Sequence, residues 1–148
     1  MDKNIIIYDG VCNFCNGAVN FIIKRDKRNV FIFTPMQCDY AKKLIKKYAI
    51  DNVGIDTFLL IKNNKCYIWS NAALEIAKDL SGYWNVFNVF RVIPVFIRDF
   101  FYRVFARNCY FLFGRSQKCI IPSQSIRNKF RGISKDSTTL VANRAKSP

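Results

Sequence analysis

Two cysteines three residues apart, Cys12 and Cys15 in Cys12-Asn-Phe-Cys15, are the residues of this chain best suited to chemistry. They follow a short apolar run, Ile5-Ile6-Ile7-Tyr8, and a turn, Asp9-Gly10, and they open a segment with helical spacing. A sulfur at a helix start meets unpaired backbone N–H groups and the positive end of the helix dipole, which favour thiolate over thiol. A second sulfur three residues on lies on the same helix face, within reach of a small disulfide ring. This is the pattern of thiol–disulfide exchange. Asp9 is the third candidate. Asp-Gly is ordinary turn chemistry, but a carboxylate beside two sulfurs also opposes thiolate formation by its charge and can accept a proton from a resolving cysteine.

Composition narrows the alternatives. The 148 residues contain no histidine, which removes Cys-His nucleophile pairs, Ser-His-Asp triads and every histidine-containing zinc site. An all-cysteine zinc or iron–sulfur site needs four thiolates, usually from two close pairs. Cys38, Cys66, Cys109 and Cys119 form no second Cys-x-x-Cys. Two rival readings stand beside thiol–disulfide exchange: a metal or iron–sulfur binder built on Cys12 and Cys15, and a basic nucleic-acid or membrane-surface binding module in which the cysteines are incidental. No metal or bound cofactor is expected. The net charge is +14, of which +5 lies in residues 123–148, with six basic residues and one acid. Such charge suits nucleic acid or an anionic lipid surface. Stacking on nucleic acid needs aromatic residues interleaved with the charge, and only Phe130 offers that in the tail. No nucleic-acid partner is expected.

The elements that must position the sulfurs follow from periodicity. Residues 5–8 read as a buried strand and 13–26 as an amphipathic helix carrying Phe14, Cys15, Ala18, Phe21 and Ile22 on one face. A second strand, 30–34, stops at Pro35, and a second helix spans 36–49. Strands 57–61 and 66–69 are joined by Lys62-Asn63-Asn64-Lys65, a hairpin signal because Asn tolerates left-handed geometry. Ser70 or Asn71 is expected to cap a third helix that Gly82 ends. The order β-α-β-α-β-β-α predicts an α/β thioredoxin-like mixed sheet. Residues 84–113 hold eight Phe interrupted by five charged residues, too short an uncharged run for a membrane span. They are expected to form two helices, split at Pro94, whose apolar faces pack on the domain. An interfacial segment with Arg at lipid headgroups is the less favoured alternative, so a peripheral membrane contact is open but not favoured. The organisation is thus a domain over residues 1–122, including a helical extension over 84–122, and a basic, solvated tail over 123–148 that is expected to be flexible.

These residues resemble a known family. Asp9-Gly-Val-Cys12-Asn-Phe-Cys15 is similar to the Asp-x-x-Cys-x-x-Cys signature of the DCC family of thioredoxin-like thiol-disulfide oxidoreductases. The resemblance continues through Phe33-Thr34-Pro35-Met36-Gln37, Asp56-Thr57, Ser70-Asn71-Ala72-Ala73-Leu74, Arg91-Val92-Ile93-Pro94, Arg98-Asp99 with Tyr102, Ala106-Arg107-Asn108, and Phe113-Gly114 through Cys119-Ile120-Ile121-Pro122. The chain departs from the family by carrying Cys109 where Arg is common and Cys38 where Ser is common. Where thioredoxins place a cis-Pro before the third strand, it has Asp56-Thr57. The resemblance implies a thiol-disulfide oxidoreductase acting on a disulfide-containing protein or small thiol, with Cys12 attacking, Cys15 resolving, Asp9 assisting, and an external reductant. The Met1-Asp2-Lys3-Asn4 start lacks the cationic region of a secretory signal. Six cysteines without such a signal point to a reducing, cytoplasmic setting.

Overall fold

The computed structural model describes residues 3–50, 58–80, 82–115 and 128–131. Asp56-Thr57, Cys119 and most of the tail lie outside them. Four strands form one mixed sheet in the order β2-β1-β3-β4. Here β1 is Asn4–Tyr8, β2 Phe31–Pro35, β3 Leu59–Lys62 and β4 Lys65–Ile68. β1 runs parallel to β2, with Ile6 opposite Phe33, and antiparallel to β3, with Ile6 opposite Leu60. β3 and β4 form the expected hairpin, and Asn63 and Asn64 both take positive φ, 50° and 58°, at its tip. Pro35 is tolerated as the last residue of β2 because that strand lies at the sheet edge. This is the mixed α/β arrangement of a thioredoxin-like fold.

The strands alternate by face. Ile6, Tyr8, Phe31, Phe33 and Leu60 join one core with Cys15, Val19 and Ile22 of α1 (Asn13–Arg25) and with Ala72 and Ile76 of a later helix, α3. Ile7, Leu59 and Ile61 point the other way and pack with Ala41 and Leu44 of α2 (Asp39–Lys47). α2 is shorter than the expected 36–49. The Met36 N–H still donates to Tyr8 O at 2.8 Å, and a turn closed by Cys38 N–H on Pro35 O must finish before the helix begins.

α3 (Trp69–Asp79) starts without the expected cap. β4 runs directly into it through Trp69, a bulky residue at φ 52°. Ser70 is buried inside the helix, where its hydroxyl donates to Asp99 and accepts from Arg98 Nε at 2.7 Å. It fastens the C-terminal extension rather than the helix end. On the same helix, burial pushes the Glu75 carboxyl up, but Lys78, Lys62 and Arg91 together hold it below its ordinary value. That cluster, with Lys62 Nζ 2.7 Å from Asp79, ties α3 to β3 and to the segment that follows.

The extension splits at Pro94 as expected, into a 3-10 segment (Tyr83–Val92) and α4 (Val95–Phe113). Its packing does not follow the expectation. Trp84, Cys109 and Tyr110 turn inward, but Phe96, Phe100, Phe101 and Phe111 stand in solvent, Phe111 at 91% exposure. α4 is apolar around most of its circumference, and a helix lying on a domain buries only one face. The solvated tail also needs correction at residues 128–131. Phe130 bridges to Phe33 in parallel register, Arg131 N–H donates to Phe33 O at 2.9 Å, and Lys129 Nζ pairs with buried Asp26 at 3.1 Å. These residues line the outer edge of β2.

Candidate functional site

The site forms where β1 ends and α1 begins. After Tyr8 the chain turns through Asp9, Gly10 and Val11, and Cys12 N–H reaches Asp9 O at 3.4 Å. Cys12 occupies the N-cap position in extended geometry, φ −83° and ψ 121°, and its carbonyl accepts the first helical bond from Asn16 N–H at 3.0 Å. The amide N–H groups of the first turn of α1 therefore face the Cys12 end of the helix. Cys15 follows one turn on, close enough to share a hydrogen bond with Cys12. Burial pushes the Cys15 thiol far above its ordinary value, and Cys12, Asp9 and Cys109 push it further. Cys12, Cys15 and Asp9 are thus brought into one site.

Asp9 is fully buried. Its Oδ1 accepts from Gln37 Nε2 at 2.7 Å and from Val11 N–H at 3.1 Å, and its Oδ2 accepts from the Tyr110 hydroxyl. Gln37 also accepts from Gly10 N–H at 3.2 Å, and Asn16 Nδ2 donates to Gly10 O at 3.0 Å. Side chains from α1, from the β2–α2 connection and from α4 thereby fix the turn that presents Cys12.

α4 closes over the sulfurs. Asn13 Nδ2 donates to Phe113 O at 2.9 Å, and Cys12 forms an isolated antiparallel bridge with Arg115. Cys12 is consequently only 3% exposed, more enclosed than a nucleophile at a helix start needs to be. Its approach is a cavity of about 530 Å³ between α1, α3, the 3-10 segment and α4. The walls are apolar, among them Phe14, Phe21, Ile76, Trp84, Phe87 and Phe105, and Cys12, Cys15, Cys109 and Tyr102 also line it. The Tyr102 hydroxyl is bonded to the Phe58 backbone, and burial, then the nearby Cys15, raise its ionisation well above the ordinary value. Cys109 Sγ lies 3.6 Å from Cys12 Sγ. Cys38 sits at the start of α2 and Cys66 on β4, where burial pushes its thiol up. Among the described residues, no group of three or more Cys, Asp or Glu side chains is arranged to hold a metal ion.

Gln37, Tyr102, Cys109 and Tyr110 received no role from sequence. Gln37, Tyr102 and Cys109 fall within or beside the blocks that carry the family resemblance, which is the signal that could have singled them out. Nothing in the spacing shows that Gln37 and Tyr110 meet at Asp9 or that Tyr102 and Cys109 line the cavity with the two cysteines.

The chain has recognisable relatives among known proteins. The chain is similar to "Uncharacterized protein YuxK" of Bacillus subtilis (strain 168), at 39% identity over 86% of this chain and 93% of that one. It is similar to "DCC family protein At1g52590, chloroplastic" of Arabidopsis thaliana, at 36% identity over 79% of this chain and 69% of that one. No solved structure matches. The model of the DCC1-like thiol-disulfide oxidoreductase family matches residues 6–115, across the whole of the site just built, and the chain belongs to that family.

Proposed function

We propose that the protein is a thiol-disulfide oxidoreductase that reduces disulfides through Cys12 and Cys15. The observation that carries this reading is Cys12 at the N-cap of α1 with Cys15 one turn behind it, both lining an enterable cavity. The Cys12 thiolate attacks one sulfur of a substrate disulfide; the substrate S–S bond breaks and its second sulfur leaves and takes a proton. Cys15 then attacks Cys12 Sγ, the mixed disulfide breaks, and the second substrate thiol departs. Two electrons have passed to the substrate, and the Cys12–Cys15 disulfide is returned to dithiol by an external thiol reductant. Asp9 sets the charge around the pair and accepts the Cys15 proton during resolution. Cycling of this kind suits a reducing compartment such as the cytosol.

Reduction of a small uncharged disulfide, hydroxyethyl disulfide, with a dithiol donor tests the reading. Cys12→Ser should fall to the uncatalysed rate while its circular dichroism stays native. Turnover equal to the parent protein would remove Cys12 as nucleophile and the reading with it.

A further inference from the structure

Cys109 is 97 residues from Cys12 in the chain, yet their sulfurs are 3.6 Å apart and both side chains are buried. A disulfide bond is about 2.0 Å long, so bonding needs a closure of roughly 1.5 Å. The two elements are already held together by the Asn13 side-chain hydrogen bond to Phe113 O and by the Cys12–Arg115 bridge at the end of α4. Cys15, one turn behind Cys12, is buried as Cys109 is, so access to Cys12 favours neither sulfur. A second sulfur in contact with Cys12 therefore competes for the resolving step.

We infer that Cys109 is a third redox sulfur of this site, able to resolve a mixed disulfide on Cys12 and leave a Cys12–Cys109 disulfide that fastens α4 to the start of α1. The inference rests on Cys12 being the attacking cysteine. In the step, Cys109 Sγ bonds to Cys12 Sγ and the bond from Cys12 to the substrate sulfur breaks. That sulfur leaves with the electron pair and takes the proton that Cys109 gives up. Cys12 and Cys109 end oxidised by two electrons and the substrate ends as a thiol, so no further reactant is consumed.

The experiment compares Cys15→Ser with Cys15→Ser/Cys109→Ala, each treated with dipyridyl disulfide and followed by peptide mass. In the double variant the pyridyl adduct on Cys12 should persist. In Cys15→Ser it should be lost at least about tenfold faster, because an adjacent intramolecular thiol acts at high effective concentration. The same digest, which needs no substitution at position 109, should contain a linked Cys12–Cys109 peptide. An adduct that lasts equally long in both proteins, or a Cys15→Ser digest without the linked peptide, overturns the inference and leaves Cys12 as nucleophile. No adduct on Cys12 in either protein overturns both readings.

The exposed face of the extension supports a second, independent inference. Residues 83–115 carry five arginines and one acid, Asp99. That acid is buried against Ser70. Arg98 is bound to Ser70 and Asn71, and Arg91 pairs with Glu75. Among the described residues this leaves Arg103, Arg107 and Arg115 exposed and uncommitted to a carboxylate. Along the same helix stand exposed Phe96, Phe101 and Phe111, and Tyr83 is exposed at the start of the 3-10 segment. The geometry points to an anionic bilayer surface as the occupant of this face, with the aromatic rings at the headgroup–acyl boundary and the arginines on lipid phosphates. Charge decides against the other candidates. A second copy would set arginines against arginines, and the tail over 123–148 is itself basic. Among the described residues no helix is long and apolar enough to cross a membrane, so the contact is peripheral.

Co-sedimentation with phosphatidylglycerol–phosphatidylcholine vesicles tests it. The parent protein should bind, lose binding at high salt, and bind at least about tenfold more weakly as Phe96→Ser/Phe101→Ser/Phe111→Ser, three solvent-facing changes. Equal binding to pure phosphatidylcholine, no binding to the anionic vesicles, or a triple variant that binds like the parent would each overturn the assignment. Self-association that displaces the vesicles would do so in favour of a second copy.

Discussion

Asp9 sits at the point where turn geometry and sulfur chemistry meet, and one substitution separates them. Its charge is among the causes that push Cys15 up, after burial and Cys12. Asp9→Asn keeps the size and removes the charge, at the cost of turning an amide N–H toward a donor, Gln37 or Tyr110. A neighbouring anion disfavours a thiolate, so its removal lowers the Cys15 pKa. Iodoacetamide labelling of Cys15, read by peptide mass, should therefore begin at lower pH in Asp9→Asn than in the parent. An onset that stays put or moves upward would remove the charge effect and leave Asp9 to the turn and to proton transfer. The position of Asp9 was legible because Asp-x-x-Cys-x-x-Cys is a contiguous pattern. Its partners were not, since Gln37 lies 28 and Tyr110 101 residues away, and hydrogen bonds of such span have no sequence period.

Element order was written in the two periods of the chain, alternation in the strands and three- to four-residue spacing in the helices, and every element appears in the expected sequence. Element ends were less legible because tertiary contacts set them. Pro35 and Met36 extend the β ladder into the expected start of α2, and Ser70 answers to Asp99 rather than to its own helix. Residues 128–131 were misread because four residues beside a strand edge carry no pattern of their own. They protect an edge that would otherwise offer unpaired backbone groups. Phe130 is half-buried against Phe33, with ring centroids 5.6 Å apart. Phe130→Ala should cost about 1–2 kcal/mol, less than a fully buried Phe, or roughly 3–7 °C in Tm for a chain of this size. Thermal melts followed by circular dichroism measure this. A Tm within about a degree of the parent would mean that the segment rests on β2 without stabilising it.

At the scale of the molecule, the thioredoxin-like arrangement was foreseeable and the surface of the extension was not. Apolar composition reports how much side chain is available for burial, whereas the area to bury it against is a property of the assembled sheet and helices. With α1 and α3 already occupying one face of the sheet, α4 finds room for a single stripe and leaves its remaining aromatics outside. The cavity beneath it sets who can react. An incoming molecule must leave its hydration shell at the mouth, and a charged one finds little along apolar walls to replace it, a loss of several kcal/mol for an uncompensated ion. Under the proposed chemistry the site would therefore sort disulfides by polarity before it sorts them by reduction potential. Carboxylate-bearing disulfides would report slow entry, and a sulfur judged inert by such reagents is simply out of their reach.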